Sequence, residues 1–440
     1  MSVETTEMVA DENAPALARA AGVHPLDYLQ ARGYVQDATD RDALRSAFDA
    51  GVVTAYVGFD PTAPSLHVGH LLGIMMLASV QRFGHRPIAL GGGGTALVGD
   101  PTGKTATRAV LTPEEISLNL ENILKQFEHH LDFVGGRFGE NPPALLLNNA
   151  DWLLQLKYIE FLRDIGRYFS VNEMLAAETY RQRLETSGLN FVEFNYRLVQ
   201  AYDFLHLFRA YNCVLQMGGS DQWGNITAGV DLIRRAEHAQ AFGLVCPLLT
   251  TASGQKMGKT EGNSVWLDPA LTSPYDFYQY WINVEDADVA KLLRLYTFLP
   301  ETRIEELTRV QGEALREAKV VLAWETTVLT HGHAAADEAR SAARALFAGS
   351  GRSVDAMLTD DSMPTSTISR HEIDEGMTLA ELFVAVGLCS SRGDARRLAA
   401  QGGLSVNGKR VEDVDQQVRA DADALLLRVG KKRYRRVLIE

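Results

Sequence analysis

The chain contains few cysteines and no long apolar run. Its three cysteines, Cys213, Cys246 and Cys389, are far apart and form no Cys-x-x-Cys pair, which argues against a disulfide framework and a cysteine-based zinc site. No window approaches the roughly eighteen apolar residues of a membrane span. The N-terminal residues are acidic and lack the basic-then-apolar order of a signal peptide. We therefore expect a cytoplasmic protein with no membrane partner.

Positive charge is also scarce, except near the C-terminal end. The whole chain has a net charge of −13, but from Arg392 onward twelve Lys/Arg face seven Asp/Glu, which leaves −18 for the rest. A basic C-terminal module on an acidic body is typical of chains in which one part contacts RNA. A solvated basic tail is the alternative, although strand and turn patterns continue through this region.

The length and the alternation of elements indicate several domains. With 440 residues, 46% of them apolar and 22% charged, the chain is expected to be globular with two or three domains. Candidate strands alternate with helical stretches, which predicts a parallel, doubly wound sheet with ligands at the carboxyl ends of its strands. The candidate strands are 54–58, 87–91, 144–148, 213–218 and the short segment 265–267.

The most informative segment is 56–70, with the sequence YVGFDPTAPSLHVGH. It predicts a strand, a proline-containing loop and a helix that begins at two histidines around a glycine. Thr62, His67 and His70 therefore lie at a helix N-terminus, where backbone N–H groups and the helix dipole favour a polyphosphate. Gly69 has no Cβ, so a ligand can approach the backbone.

A second motif, KMGKT at 256–260, places Lys256, Lys259 and Thr260 on a loop after an apolar strand. Either motif alone is weak, because His-x-x-His also occurs at exposed helix starts or as a metal-ligand pair, and a lysine-rich loop is usually solvated. In this order, and both at strand ends, the two motifs resemble the paired signatures of class I aminoacyl-tRNA synthetases. ATP is the ligand that requires both.

The glycine-rich segment 91–104 (GGGGTALVGDPTGK) matches neither of two common nucleotide motifs in full. It formally satisfies Gly-x-Gly-x-x-Ala, but the acidic residues Glu114 and Glu115 open a helix where that motif needs the end of a second strand. It is also one residue short of a P-loop. Asp100, followed by Lys104 and Arg108, suits an amino-acid ammonium beside a pyrophosphate.

Three further segments narrow the resemblance. Tyr196, Gln200 and Asp203 share one helix face in the segment 190–203, although an ordinary polar face would have the same spacing. The sequences GGSDQWGN at 218–225 and NNADW at 148–152 each follow a strand. With the segments above, they closely resemble bacterial tyrosyl-tRNA synthetases from about Asp27 to the C-terminus.

The resemblance implies a role for each matching residue. Tyr56 and Asp203 are expected to hold the phenol hydroxyl of tyrosine. The rest of the amino acid is expected to contact Asp60, Asp100, Tyr196, Gln200 and Gln222. The residues expected to bind ATP are Gly58, Thr62, His67, Gly69, His70, Asp221, Lys256 and Lys259. The expected catalytic set is His67, His70, Lys104, Arg108, Lys256, Lys259 and Thr260.

Two positions depart from the family pattern. Val57 stands where many members have a cysteine, and it has no polar group for a contact to the ATP ribose. Gly258 and Thr260 stand where the second signature often has serines, a variant that tyrosyl enzymes commonly use. Both lysines of that signature are present.

The resemblance also implies the reaction. Tyrosine and ATP with Mg²⁺ form tyrosyl-adenylate and pyrophosphate, and tyrosine then moves to the 3′-terminal adenosine of tRNA(Tyr). The protein contributes by positioning two anions and stabilising charge on the pyrophosphate, so no nucleophilic side chain is needed. No tightly bound cofactor or zinc is expected. The family is homodimeric, and a helical insertion at about 151–211 is the expected interface.

The residues from Thr378 onward resemble an S4 RNA-binding domain. A helix beginning near Ser391 presents arginines on one side, and Asn407-Gly408 predicts a hairpin turn. The segment 430–436 (GKKRYRR) adds charge and an aromatic ring suited to RNA. The expected RNA-binding residues are Arg392, Arg396, Arg397, Lys409, Arg410, Lys431 and Lys432.

The predicted fold is α/β, a Rossmann-like doubly wound parallel sheet followed by a helical domain and a small α+β S4 domain. The expected ranges are a flexible leader at 1–24, the catalytic domain at 25–268, an anticodon-side helical domain at 269–347, a linker at 348–376 and the S4 domain at 377–440.

Three alternatives remain open at this point. Tryptophanyl enzymes share the fold and both signatures, but the S4 module and the pair of Tyr56 and Asp203 argue against them. Cofactor nucleotidyltransferases share His-x-Gly-His but are short and lack the second signature. An inactive RNA-binding paralogue would have no reason to retain the histidines, lysines and aspartates together.

Overall fold

The computed structural model describes residues 14–100, 111–176, 180–181, 184–185, 188–251, 257, 259–260, 263–348, 358, 364–419, 423–430 and 433–440. Much of the expected leader and linker lies outside these ranges. So do five of the expected site residues: Lys104, Arg108, Lys256, Lys431 and Lys432. Lys259 and Thr260 are described by their backbone only.

A six-stranded sheet forms the centre of the molecule. Its strands are β1 (Asp37–Ala38), β2 (Thr54–Phe59), β3 (Arg86–Gly91), β4 (Leu145–Asn148), β5 (Cys213–Gly219) and β6 (Phe242–Cys246). The spatial order is β1-β6-β5-β2-β3-β4, and all neighbours are parallel except β1 and β6. The chain order reverses between β2 and β5, which is where doubly wound sheets bind ligands. The predicted fold class is confirmed.

Helices cover both faces of this sheet. They are α1 (Ala14–Ala20), α2 (Pro25–Arg32), α3 (Arg41–Ala50), α4 (Val68–Arg82), α5 (Thr95–Val98), α6 (Pro113–Gln126), α7 (Ala150–Leu153), α8 (Tyr158–Asp164), α9 (Val171–Ala176), α10 (Phe191–Tyr211) and α11 (Trp223–Glu237). Capping boxes fix the first turns of α6 and α10, where Thr112 pairs with Glu115 and Asn190 with Glu193. Such caps satisfy N–H groups that a helix start leaves unpaired.

A short hairpin and a helical region follow the sheet. The hairpin consists of β7 (Lys259–Thr260) and β8 (Asn263–Ser264), and the helices are α12 (Pro274–Ile282), α13 (Val289–Tyr296), α14 (Glu301–Thr308), α15 (Arg316–His331) and α16 (His333–Ala348). One buried apolar cluster extends from the sheet into these helices. The buried side chain of Arg32 reinforces this junction, because its guanidinium donates to the backbone carbonyls of Leu293 and Leu299.

The C-terminal region has a second sheet and its own apolar core. Its strands are β9 (Thr365–Ile368), β10 (Leu404–Val406), β11 (Lys409–Arg410), β12 (Ala424–Val429) and β13 (Arg433–Ile439), and its helices are α17 (Arg370–Asp374), α18 (Leu379–Ala385) and α19 (Arg392–Ala400). The strand order is β11-β10-β12-β13-β9. Asn407 and Gly408, both with positive φ, turn the chain between β10 and β11, as the Asn-Gly pair predicts.

Two segments differ from the expectations. The segment 265–267 adds no strand to the main sheet, and Trp266 instead forms an isolated bridge with His67. Strand β9 lies inside the expected linker, where its polar residues pair in parallel with β13. None of the described helices is long and apolar enough to cross a membrane.

Candidate active site

Strand β2 and helix α10 enclose a buried polar pair, Tyr56 and Asp203. Tyr56 is 1% exposed, and its hydroxyl has no hydrogen-bond partner among the described residues. Asp203 is 2% exposed and accepts hydrogen bonds from Asn149 Nδ2 and Trp152 Nε1, both at 2.8 Å. The two residues expected to recognise a phenol therefore lie in one enclosed part of the sheet's surface.

Burial controls the charge of this pair. It raises the pKa of Asp203 to about 7, although the hydrogen bonds from Asn149 and Trp152 act in the opposite direction. Burial, and then the neighbouring Asp203 carboxyl, raise the pKa of Tyr56 well above its ordinary value. Tyr56 is therefore a protonated phenol across the physiological range, and the charge of Asp203 is decided near neutral pH.

A second carboxyl, that of Asp60, is held at the end of β2 by two hydroxyls. Thr95 Oγ1 donates to Asp60 Oδ1 at 2.8 Å, and the Tyr196 hydroxyl donates to Asp60 Oδ2 at 3.2 Å. Thr95 Oγ1 also accepts from Asn149 Nδ2 at 3.0 Å. Asn149 also donates to Asp203 directly. One amide therefore links the Asp203 carboxyl to the Asp60 carboxyl, with the Thr95 hydroxyl between them.

Close packing explains the glycine run after β3. A Cβ on Gly92 would lie 2.1 Å from Asp60 Oδ1, and a Cβ on Gly93 would lie 2.4 Å from Asn148 Oδ1. Only glycine fits at such a close approach of backbone to side chain. The run thus allows the loop to pass directly against the carboxyl network.

A third carboxyl, that of Asp100, meets the loop after β5. Gln222 Nε2 donates to Asp100 Oδ2 at 2.8 Å, and Asn225 Nδ2 donates to Gln222 Oε1 at 3.0 Å. Burial raises the pKa of Tyr196 well above its ordinary value, and Asp60, Asp100 and Asp203 raise it further. Three carboxyls therefore act on the Tyr196 phenol, and their combined negative potential suits an ammonium group.

The other expected substrate contacts lie around the same network. Gln200 is half-buried one turn after Tyr196 on α10, and Asp221 is half-buried in the 3-10 turn after β5. Gly58 and Thr62 are exposed at the carboxyl end of β2 and in the loop that follows. Gly58, Thr62 and Asp221 therefore lie at or after the carboxyl ends of the two strands at the switch point, and Gln200 lies on α10.

The two signature histidines form the start of α4. His67 Nδ1 accepts from the Gly69 backbone N–H at 3.0 Å, and His70 Nδ1 accepts from the His67 backbone N–H at 3.2 Å. Their rings stack with centroids 3.9 Å apart. Because both Nδ1 atoms accept, each neutral ring carries its proton on Nε2. Two imidazole N–H donors therefore accompany the helix N-terminus, an arrangement that favours anions.

Backbone hydrogen bonds join this helix start to the chain that follows the second signature. The Val68 N–H donates to the Val265 carbonyl at 3.0 Å, and the Leu267 N–H donates to the Leu66 carbonyl at 2.8 Å. The segments that carry the two motifs are thus neighbours in space. The side chains of the KMGKT motif other than Met257 lie outside the described atoms.

Four polar residues in or beside this network carry no role that the sequence motifs imply: Thr95, Asn149, Trp152 and Gln216. Gln216 lies on β5 directly opposite Tyr56, is 3% exposed, and its Oε1 has no hydrogen-bond partner among the described residues. A glutamine inside the otherwise apolar strand CVLQM is a signal that could have identified it. Asn149 and Trp152 belong to the NNADW segment, which the resemblance had already singled out.

The arginines expected to bind RNA are exposed but paired within the C-terminal region. Arg392 pairs with Glu381 and Arg396 with Asp415, each at 2.8 Å, and Arg397 pairs with Asp394. Lys409 and Arg410 are exposed on β11. The pair of Arg396 and Asp415 is exposed on both sides and contributes little to stability, so a phosphate can replace that carboxylate at small cost.

The order of the parallel strands reverses between β5 and β2, close to a helix that starts at His-x-Gly-His. This fold, together with the carboxyls near the switch point, is that of a class I aminoacyl-tRNA synthetase. The family model described as tRNA synthetases class I (W and Y) matches residues 49–348. A second, the tyrosine–tRNA ligase SYY-like C-terminal domain, matches residues 356–437. The chain therefore belongs to the tyrosyl-tRNA synthetase family, the tyrosine–tRNA ligases.

Individual relatives agree with this assignment. The tyrosine–tRNA ligase of Desulfosudis oleivorans is 51% identical over 94% of this chain and 98% of its own length. That of Caldanaerobacter subterraneus is 50% identical over 94% and 99%. Among solved structures, a C-terminally truncated mitochondrial tyrosyl-tRNA synthetase of Aspergillus nidulans is 32% identical, with a TM-score of 0.68 over 77% of this chain and 98% of that one.

Proposed function

We propose that the site described above activates L-tyrosine with ATP and then transfers it to the 3′-terminal adenosine of tRNA(Tyr), with Tyr56 and Asp203 as the residues that select tyrosine. The observation that carries this assignment is the buried Tyr56 hydroxyl beside the buried Asp203 carboxyl. A substrate phenol can donate to the carboxyl and accept from the hydroxyl at the same time. Phenylalanine would leave both groups buried and unpaired, which costs binding energy.

The ammonium group of tyrosine is assigned to the surroundings of Tyr196. Asp60 accepts a hydrogen bond from Tyr196, Asp100 and Asp203 also act on this phenol, and an ammonium there would be attracted by these carboxyls. Gln200 extends the same helix face toward the ammonium, and Gln222 orients the Asp100 carboxyl. These contacts would fix the tyrosine carboxylate for in-line attack on the α-phosphorus of ATP.

The ATP phosphates are assigned to the start of α4. The Nε2–H groups of His67 and His70 and the backbone beside Gly69 would stabilise charge that develops on the pyrophosphate. Mg²⁺ enters with ATP as part of this co-substrate. We assign the remaining phosphate contacts to Lys104, Arg108, Lys256, Lys259 and Thr260, and the ATP nucleoside and its surroundings to Gly58, Thr62 and Asp221.

The tRNA is assigned to the helical and C-terminal regions. Residues 25–268 would carry the chemistry, residues 269–347 would face the anticodon side, and residues 377–440 would bind RNA. The exposed arginines of α19 and the exposed pair Lys409 and Arg410 support this assignment, together with Lys431 and Lys432.

A homodimer through residues 151–211 is supported by exposed apolar side chains. Leu154, Tyr158, Ile159, Phe191 and Val192 are each more than half exposed, with Ile159 at 73%. Apolar side chains clustered on a surface usually mark a contact with another protein. Ile159→Glu should shift the mass measured by light scattering from dimer to monomer, whereas the control Val52→Glu, at an exposed position before β2, should not.

The assignment is tested by ATP–pyrophosphate exchange with tyrosine, phenylalanine and tryptophan, followed by tRNA charging. Exchange with tyrosine alone is expected, because phenylalanine cannot pair with Tyr56 and Asp203. Equal exchange with phenylalanine would show that these residues do not select the substrate. Residues 378–440 are then deleted. If pyrophosphate exchange persists while charging of tRNA(Tyr) disappears, the RNA-binding region is separate from the residues that carry the chemistry.

A further inference from the structure

The basic strand β13 does not present all of its arginines to solvent. Arg433 is exposed and donates to the Leu388 carbonyl at 2.9 Å, whereas Arg435 is only 9% exposed. Arg435 lies on the same face of the strand as Val437, which belongs to the C-terminal core. A guanidinium in that position requires a partner, because burying an unpaired charge is costly.

The partner of Arg435 belongs to the helical region. Arg435 Nη2 donates to Asp276 Oδ2 at 2.7 Å, and Asp276 lies in the first turn of α12. The same carboxylate oxygen accepts from the Ser273 hydroxyl at 2.7 Å, so its position is fixed by the helix cap. This ion pair therefore connects the C-terminal sheet to α12, a helix that packs on α15 and α16 and whose apolar residues belong to the cluster that reaches the central sheet.

Two aromatic residues lie at the same contact. Tyr275 is 8% exposed and directly precedes Asp276 in the first turn of α12. Burial and then the Asp276 carboxyl raise the pKa of Tyr275, whereas the Arg435 guanidinium lowers it. The neighbouring Tyr434 raises the pKa of the same phenol. The ion pair thus lies in a partly desolvated contact, where charges interact more strongly than on an open surface.

We propose that Arg435 and Asp276 are positioning residues that fix the C-terminal region on α12 in the orientation that tRNA charging requires. The inference rests on the proposed role of the C-terminal region in binding tRNA. A ligand that contacts two modules at once gains affinity only if their geometry permits both contacts together. The pair would set that geometry without touching tyrosine or ATP.

Unequal burial predicts unequal effects of the two single substitutions. Asp276 is 42% exposed on its side chain and keeps its bond to Ser273 when Arg435 is replaced. Arg435 is 11% exposed on its side chain, so replacing Asp276 leaves a buried guanidinium that reaches water only if the contact opens. Asp276→Asn should therefore disturb the orientation more than Arg435→Gln.

The experiment compares four full-length variants: Asp276→Asn, Arg435→Gln, the double variant Asp276→Arg with Arg435→Asp, and the control Arg370→Gln. The control breaks an exposed pair with Asp423 inside the C-terminal region. Tyrosine-dependent pyrophosphate exchange is measured without tRNA, and kcat/KM for tRNA is measured in charging. We expect unchanged exchange in all variants and about a tenfold lower kcat/KM for Asp276→Asn, mainly through KM. The double variant should recover part of this loss.

The outcomes separate the inference from the proposed function. If the wild-type protein exchanges pyrophosphate but charges no tRNA, the proposed function of the C-terminal region is wrong. If the wild type charges tRNA and both single variants do so equally well, the positioning role is refuted. An equal loss of pyrophosphate exchange in Asp276→Asn would also refute it, because it would show a general requirement for this side chain in folding.

Discussion

Replacing Tyr56 by phenylalanine should weaken activity on tyrosine without a matching loss of stability. The Tyr56 hydroxyl is buried and has no hydrogen-bond partner among the described residues. Tyr56→Phe therefore breaks no hydrogen bond among them. We expect the free energy of unfolding to fall by less than the roughly 1 kcal/mol that a lost hydrogen bond costs.

The same substitution removes the hydroxyl that is proposed to donate to the substrate phenol. A hydrogen bond between neutral groups contributes about 0.5–1.5 kcal/mol, so kcat/KM for tyrosine should fall about two- to twelvefold. Activity on phenylalanine should not fall, because phenylalanine has no group that pairs with Tyr56. Discrimination between the two amino acids should decrease by the same factor.

Tyr34→Phe is the matched control. Tyr34 is also fully buried, but its hydroxyl donates to the Leu295 carbonyl at 2.6 Å. Removing it should lower the free energy of unfolding by about 1 kcal/mol and leave pyrophosphate exchange unchanged. Urea denaturation and exchange with both amino acids measure these effects. If Tyr56→Phe destabilised the protein as much as Tyr34→Phe and left discrimination intact, the reasoning about the unpaired hydroxyl would be refuted.

Three further substitutions test the same site, two in the carboxyl network and one at the start of α4. Burial raises the pKa of Asp203 from 3.8 to about 7, so folding favours its protonated form. The free energy of unfolding of the wild type, relative to that of Asp203→Asn, should therefore fall by up to about 4 kcal/mol between pH 4 and pH 8 in urea denaturation. A difference that stays constant with pH would contradict this. Asn149→Ala removes a donor that lowers this pKa, so the pH at which the Asp203 carboxyl ionises, followed by NMR, should move upward. His70→Ala should slow exchange about 10²-fold while tRNA affinity, measured by filter binding, stays unchanged; an equal loss of tRNA binding would show that the site and the RNA-binding region are not separate.

The parts of the fold that the sequence predicts are those in which local pattern and tertiary context agree. Strands β2, β3 and β5 are short apolar runs bounded by turn signals, and they form the parallel core of the sheet. Strand β9 has the polar sequence TSTI and gains its structure from pairing with β13, which no local pattern reveals. Tertiary pairing of this kind outweighs propensity.

The same distinction applies to side chains. Tyr56 and Asp203 lie together as the resemblance implies, because each belongs to a motif with a fixed place on an element. Thr95 and Gln216 were missed, because their roles depend on which groups from other strands face them. Arg435 lies in a run that reads as uniformly basic, yet the alternation of a strand turns it toward Asp276. Charge pattern alone does not specify which face a strand buries.

The proposed recognition by Tyr56 and Asp203 would also favour a phenol over an indole. The Tyr56 hydroxyl and Gln216 Oε1 are both buried without a partner among the described residues, on neighbouring strands. A phenol hydroxyl donates and accepts, whereas an indole N–H only donates. Tryptophan could therefore pair with Asp203 but would leave the Tyr56 hydroxyl without an acceptor. The family model groups the tryptophan and tyrosine enzymes together, and the proposed role of the Tyr56 hydroxyl would give a physical reason for selecting tyrosine over tryptophan.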